Sequence, residues 1–276
     1  MPTAETNDLV AEITQLPVQP GAAMRLLWML EDPRTSAADL GRLIESDPAL
    51  STQVIRLANT AFYGLSGKVA SAWRAVTVLG LATVRALATT AAFDLFSEKG
   101  RSVPDDFWPH SVTTAAASSV VARRIGYQAN DAFSCGLLHD LGAALMFRRA
   151  PRRYDSVLEM LQNDEDLSLV DAERVEFGIS HAEVGAAALS VMKFPAELTT
   201  SIALHHTVPA DVEPMLARIV LTADAIACAL QPITEVNVTV VEALEAIGLP
   251  VSAEESILEE VRKDQENLAG FLTVRG

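Results

Sequence analysis

The segment CGLLHDLGAALMF, within an apolar run from Asp131 to Phe147, carries an adjacent histidine and aspartate, His139 and Asp140. The length and apolar character of the run predict one buried helix. A carboxylate there costs several kcal/mol unless it is paired, hydrogen-bonded or bound to a cation. Asp224 meets the same problem in LARIVLTADAIACAL. Taken singly, Asp140 reads as a helix-end or solvent-facing acid, and Asp224 as the partner of Arg218 or another base. Two such acids on separate apolar helices, with histidines nearby, point instead to one shared cation.

The rest of the chain reads as helix too. Half of its 276 residues are hydrophobic and only 5% are aromatic. Alanine and leucine dominate and β-branched alternation is scarce, which favours packed helices over sheets. Helices are expected over about Ala22–Glu31, from Ser36 to Ser46, after Asp47-Pro48, over Val69–Leu79 and Leu81–Leu95, and from Pro109 to Ile125. A basic break follows at Arg148-Arg149 and Arg152-Arg153. Ser168 with Asp171, Ser180 with Glu183, and Ser252 with Glu255 have capping-box spacing. Further helices are expected up to His205-His206 and over Met215–Leu230, with a short extended piece near Ile233–Val241. The charged, Gly- and Pro-containing stretch Glu98–Asp106 is the best linker candidate.

The net charge of −15 is uneven: residues 1–100 carry 8 basic and 10 acidic side chains, the remainder 13 and 26. Phosphate contacts need concentrated positive charge, so direct DNA binding is not expected. Arg56, Lys68, Arg74 and Arg85 are assigned to packing, and RRAPRR to a solvated turn. No segment reads as a signal peptide or membrane span, and Cys135 and Cys228 read as reduced core thiols. A cytoplasmic protein without membrane contact is the expectation.

The chain has five histidines: His110, His139, His181, His205 and His206. They fall near helix starts and ends, where side chains converge on a cavity between helices. Imidazole with carboxylate suits zinc, iron, manganese or nickel better than calcium. The sequence has no H-E-x-x-H, Gly-rich phosphate loop or G-x-S-x-G elbow.

The order of a histidine, then His-Asp, then a distant aspartate resembles the HD superfamily. The resemblance maps its divalent-metal ligands onto His110, His139, Asp140 and Asp224. Its HD-GYP branch, which hydrolyses cyclic di-GMP, adds a middle histidine and a His-His pair, matching His181 and His205-His206. The closer resemblance is to the HDOD branch, the HD-related output domain. LPVQPGAAMRLLWMLEDP, ESDPALSTQVIRLANTAFYG and AWRAVTVLGLATVRAL carry it, and it extends over nearly the whole chain. It implies an all-α fold with an N-terminal helical lobe, residues 1–103, packed on an HD-like lobe, residues 104–276. It also implies one or two divalent ions, of iron, manganese, nickel or zinc.

Two departures weigh against catalysis. HD hydrolases commonly carry a lysine three residues after the doublet, where this chain has Ala143, and TVPADVEP replaces a Gly-Tyr-Pro segment. The expected function is a bacterial-type signal-transduction output module with a non-catalytic or weakly catalytic site. Its expected partner is a signalling protein or an upstream receiver or sensor domain. The alternative is a metal-dependent phosphohydrolase acting on a nucleotide or cyclic dinucleotide. A third reading has a nucleotide or anion sensed without turnover, biasing the contact between the lobes.

Overall fold

Helix is the only regular structure among the described residues of the computed structural model, which are 10–11, 21–93, 103–104, 106–164, 167–206, 213–231 and 238–272. The chain opens with α1 (Ala22–Met29), α2 (Ala37–Glu45) and α3 (Pro48–Ala58), all packed on the long α4 (Ala72–Ala92). Each start has a local cause. Ser36 and Asp39 form a reciprocal capping box, and Asp47 accepts from the Ala49 and Leu50 amides ahead of Pro48. Gly41 lets α2 lie against the backbone of Trp73, where a Cβ would approach to 2.8 Å. Asn59 clamps the Val69 amide and carbonyl, fixing the entry to α4.

α4 is the one described helix long and apolar enough to cross a membrane, yet 61% of its apolar window is buried inside the protein. It is broken at Gly80, whose φ of +76° suits glycine, so the two expected helices meet end to end. The second stops at Ala92, short of Leu95.

The second group begins with α5 (Phe107–Ile125) and α6 (Ala129–Leu138), which pack closely on each other. A stripe of Ala, Ser and Thr on α5 and Gly136 on α6 permit this. A Cβ on Gly136 would lie 2.8 Å from the Thr114 carbonyl oxygen and collide with the Ser118 hydroxyl. α7 (Leu141–Arg149), α8 (Pro151–Asn163), α9 (Leu169–Phe177), α10 (His181–Val191), α11 (Ala196–Leu204), α12 (Met215–Leu230), α13 (Val240–Ile247) and α14 (Glu254–Leu272) follow. α5 also packs on α12 and α14, and α10 lies between α7 and α11. A continuous apolar core joins both groups, with α4 against α6 and α14 against α3.

Several elements differ from the sequence reading. The run from Asp131 to Phe147 is two helices, because the backbone turns at Asp140, with φ −95° and ψ 14°. His139 therefore ends one helix and Asp140 precedes the next. The basic stretch after Arg149 turns only at Ala150, and Pro151 then starts α8, which the sequence reading left out. Thr239 and Glu242 form a capping box that opens α13 at Val240, where an extended piece was expected to finish. Most of that piece lies outside the described residues, as does most of the linker Glu98–Asp106. The last helix begins at Glu254 after a 3-10 turn at Val251–Ala253, so Ser252 does not cap it.

Candidate metal centre

All seven side chains singled out in the sequence converge where α5, α6, α7, α10, α11 and α12 meet. Asp140 lies at the middle with its two oxygens facing opposite ways. Its Oδ2 is 3.2 Å from His139 Nε2 and 3.7 Å from His110 Nε2. Its Oδ1 is 3.4 Å from His181 Nε2 and 3.6 Å from His205 Nε2. Asp224 completes the first half, 3.0 Å from His110 Nε2 and 3.7 Å from His139 Nε2. His206 completes the second, 3.0 Å from His181 Nε2. Asp224 thus faces His110 and not Arg218, and Asp140 is a buried-site acid with 19% of its side chain exposed.

The backs of the rings decide what the centre can bind. His139 Nδ1 donates to the Gly136 carbonyl at 2.8 Å, and His205 Nδ1 to the Ile202 carbonyl at 2.6 Å. His181 Nδ1 donates to Glu173 Oε2 at 2.7 Å. Carbonyl and carboxylate oxygens only accept, so each of these three Nδ1 atoms carries a proton, and the neutral form of each ring turns an Nε2 lone pair to the centre. His110 Nδ1 is buried with no such acceptor, so its tautomer is not fixed from behind. His110 and His139 present Nε2 atoms 3.2 Å apart, and His181 and His205 3.3 Å apart. Where both rings of a pair are neutral with the proton on Nδ1, neither Nε2 can donate to the other. Two donors each about 2.1 Å from one ion, at tetrahedral or octahedral angles, lie about 3.0–3.4 Å apart. The donor set therefore fits a divalent transition ion.

The electrostatics draw positive charge to the same place. Burial pushes the Asp140 carboxyl up, but His139, His205 and His181 outweigh it and hold the group well below the usual range. Asp224 is likewise lowered, His110 overcoming burial. Burial depresses His181, yet Glu173 and Asp140 lift it to about 9. His110 is raised against burial by Asp224. Burial, and then the neighbouring imidazoles, lower His206 well below its ordinary value; burial also lowers His205. With no ion bound, the acids recruit protons onto imidazoles where a cation would stand.

Among the described residues, three groupings could hold an ion: Asp140, His181, His205 and His206; His110, His139 and Asp140; and His110, Asp224 and Cys228. The third brings in a thiol that the sequence reading assigned to the core. Cys228 is half-buried, one helical turn after Asp224, with Sγ 3.8 Å from Asp224 Oδ1. Cys135 is fully buried in the core. Glu183 accepts from the Ser180 amide and hydroxyl, which is the capping role expected of it.

Glu173 was missed. It is fully buried and bonds both His181 Nδ1 and the His181 amide at 2.7 Å. One signal was present in the sequence: Glu173 stands one turn before Phe177, on the apolar face of α9 that also buries Ala172.

The HDOD domain family model matches residues 16–208. Over 98% of both chains, the fold is similar to a protein from Shewanella amazonensis SB2B provisionally named a phosphohydrolase, with 25% identity and a TM-score of 0.75. An HDOD domain protein of unknown function from Geobacter sulfurreducens is also 25% identical, with a TM-score of 0.68 over 95% of this chain and 96% of that one. An uncharacterized protein of Treponema pallidum (strain Nichols) is 25% identical over 211 residues, 74% of this chain. The aligned part makes up 41% of that relative's length.

Proposed function

Because the chain belongs to the HDOD domain family, we propose that it is a signal-transduction output module whose HD-like centre holds a divalent ion without ordinary catalytic turnover. His110, His139, Asp140 and Asp224 would hold an ion in one half, and Asp140, His181, His205 and His206 in the other. The metal is iron, manganese, nickel or zinc, by the match of imidazole and carboxylate donors.

The observation that carries the non-catalytic reading is Ala143. It follows Asp140 by three residues, half-buried on α7, and offers a methyl where phosphate handling needs a cation. The Gly-Tyr-Pro difference concerns residues largely outside those described. A bound divalent ion would supply Lewis acidity; this chain contributes ligands and the hydrogen bonds that orient them. Residues 1–103 and 104–276 act in this reading as two lobes, with a signalling protein or a receiver or sensor domain as partner. A nucleotide or anion could bias the contact between them, and the setting is cytoplasmic.

Metal analysis of the purified chain beside Asp140→Ala tests the centre, with a screen of cyclic dinucleotides and phosphomonoesters. Bound metal that disappears in the variant, with a silent screen, is the expected result. Cleavage at ordinary enzymatic rates would overturn the non-catalytic reading. A phosphohydrolase is the second reading, favoured by the complete ligand set and by the provisional name of the Shewanella relative.

A further inference from the structure

Three ring backs face away from the centre, and they are held in two different ways. His139 and His205 use the carbonyl three residues earlier on their own helices, Gly136 and Ile202. His181 has no such carbonyl in α10, because it is the first residue of that helix and Gly178 lies before it. Its acceptor has to come from another element. Glu173, on α9, provides it.

Glu173 has no solvent exposure, and both of its oxygens are engaged. Oε2 accepts from the His181 amide and from Nδ1, each at 2.7 Å, and Oε1 accepts from the Tyr154 hydroxyl at 3.2 Å. Tyr154 is itself held between Phe147 and Phe177, with ring centroids at 5.6 and 6.3 Å. The carboxylate is thus locked from behind by α8 and presented to α10. A carbonyl orients an imidazole; a carboxylate also increases the electron density its far nitrogen donates. The first half of the centre has Asp224 in addition to its share of Asp140. The second half has three imidazoles and that share alone, so Glu173 is its additional negative charge.

We propose that Glu173 is the positioning residue of the second half, holding His181 with Nε2 toward Asp140 Oδ1 and setting the affinity of that half for a divalent transition ion. The proposal rests on the reading of the centre as a cation site. A role confined to capping α10 would affect folding and leave the affinity of the folded protein unchanged.

Titration of the full chain with Co²⁺, followed by its visible absorption bands, separates these possibilities in wild type, Asp140→Ala and Glu173→Gln. Far-UV circular dichroism and melting of the ion-free forms run alongside. Glu173→Gln is expected to keep its helical spectrum, weaken one binding step by about tenfold to a hundredfold, and change the band shape. Wild-type affinity and bands in Glu173→Gln, with binding lost in Asp140→Ala, would overturn the role of Glu173 alone. Absence of binding in wild type, or equal binding in wild type and Asp140→Ala, would overturn the cation reading and this proposal with it. If Glu173→Gln does not fold, Tyr154→Phe carries the test, since it frees Oε1 and keeps the packing ring. A several-fold loss of affinity supports the proposal, and an unchanged affinity overturns it.

Discussion

Gly142 sits where α7 crosses α10, and the space there admits no side chain. A Cβ would lie 2.6 Å from the Gly185 amide nitrogen and collide with the His181 carbonyl. Neither obstacle is the flexible end of a side chain, so the helices would have to part. Gly142→Ala is therefore expected to destabilise the protein by at least about 1–3 kcal/mol, the range for overpacking, and to weaken ion binding through His181. Urea unfolding together with metal content checks this; wild-type values for both would show that the crossing yields. Ala143, the next residue, is half-buried, so a larger residue there faces less obstruction.

At the scale of elements, the start of α10 is set by a capping box in which Ser180 accepts from the Glu183 amide and Glu183 accepts from the Ser180 amide. Ser180→Ala removes the hydroxyl and is expected to cost about 1 kcal/mol, read as a lower urea midpoint with unchanged slope. Such signals were legible in the sequence, and the helices opened by Ser36, Ser168 and Ser180 stand where their spacing placed them. The clustered side chains were legible for another reason: five histidines and two acids in apolar surroundings leave few places to look. The turn at His139-Asp140 was not, because apolar residues continue across it with no Gly, Pro or capping-box spacing at the break. Glu173 was passed over because its partner is eight residues away, beyond any helical repeat.

Across the whole molecule, Arg85 ties the two groups of helices together. From α4 its guanidinium reaches Glu31 Oε1 at 2.6 Å and the carbonyls of Met192 and Lys193 at 2.9 and 2.7 Å, and it lies 4.4 Å from the Phe194 ring centroid. Those carbonyls close the turn between α10 and α11, the helices that carry His181 and His205-His206. Arg85→Ala is expected to cost about 2 kcal/mol, from charge-assisted bonds in a partly buried setting, while leaving metal content unchanged. Denaturant titration measures the first effect and elemental analysis the second. Ion binding should also stabilise the fold. At free ion about a hundredfold above Kd the gain is about 2.7 kcal/mol, seen as a rise in melting temperature that Asp140→Ala abolishes.

The seven side chains of the centre are spread from residue 110 to residue 224 and reach one another only through six separate helices. Contacts so distant along the chain require loop closure before they reward it, which slows folding. During synthesis, a chain whose α12 has not left the ribosome has His110, His139 and Asp140 but lacks Asp224. Ion capture by the complete set would thus report that the last of these helices has docked.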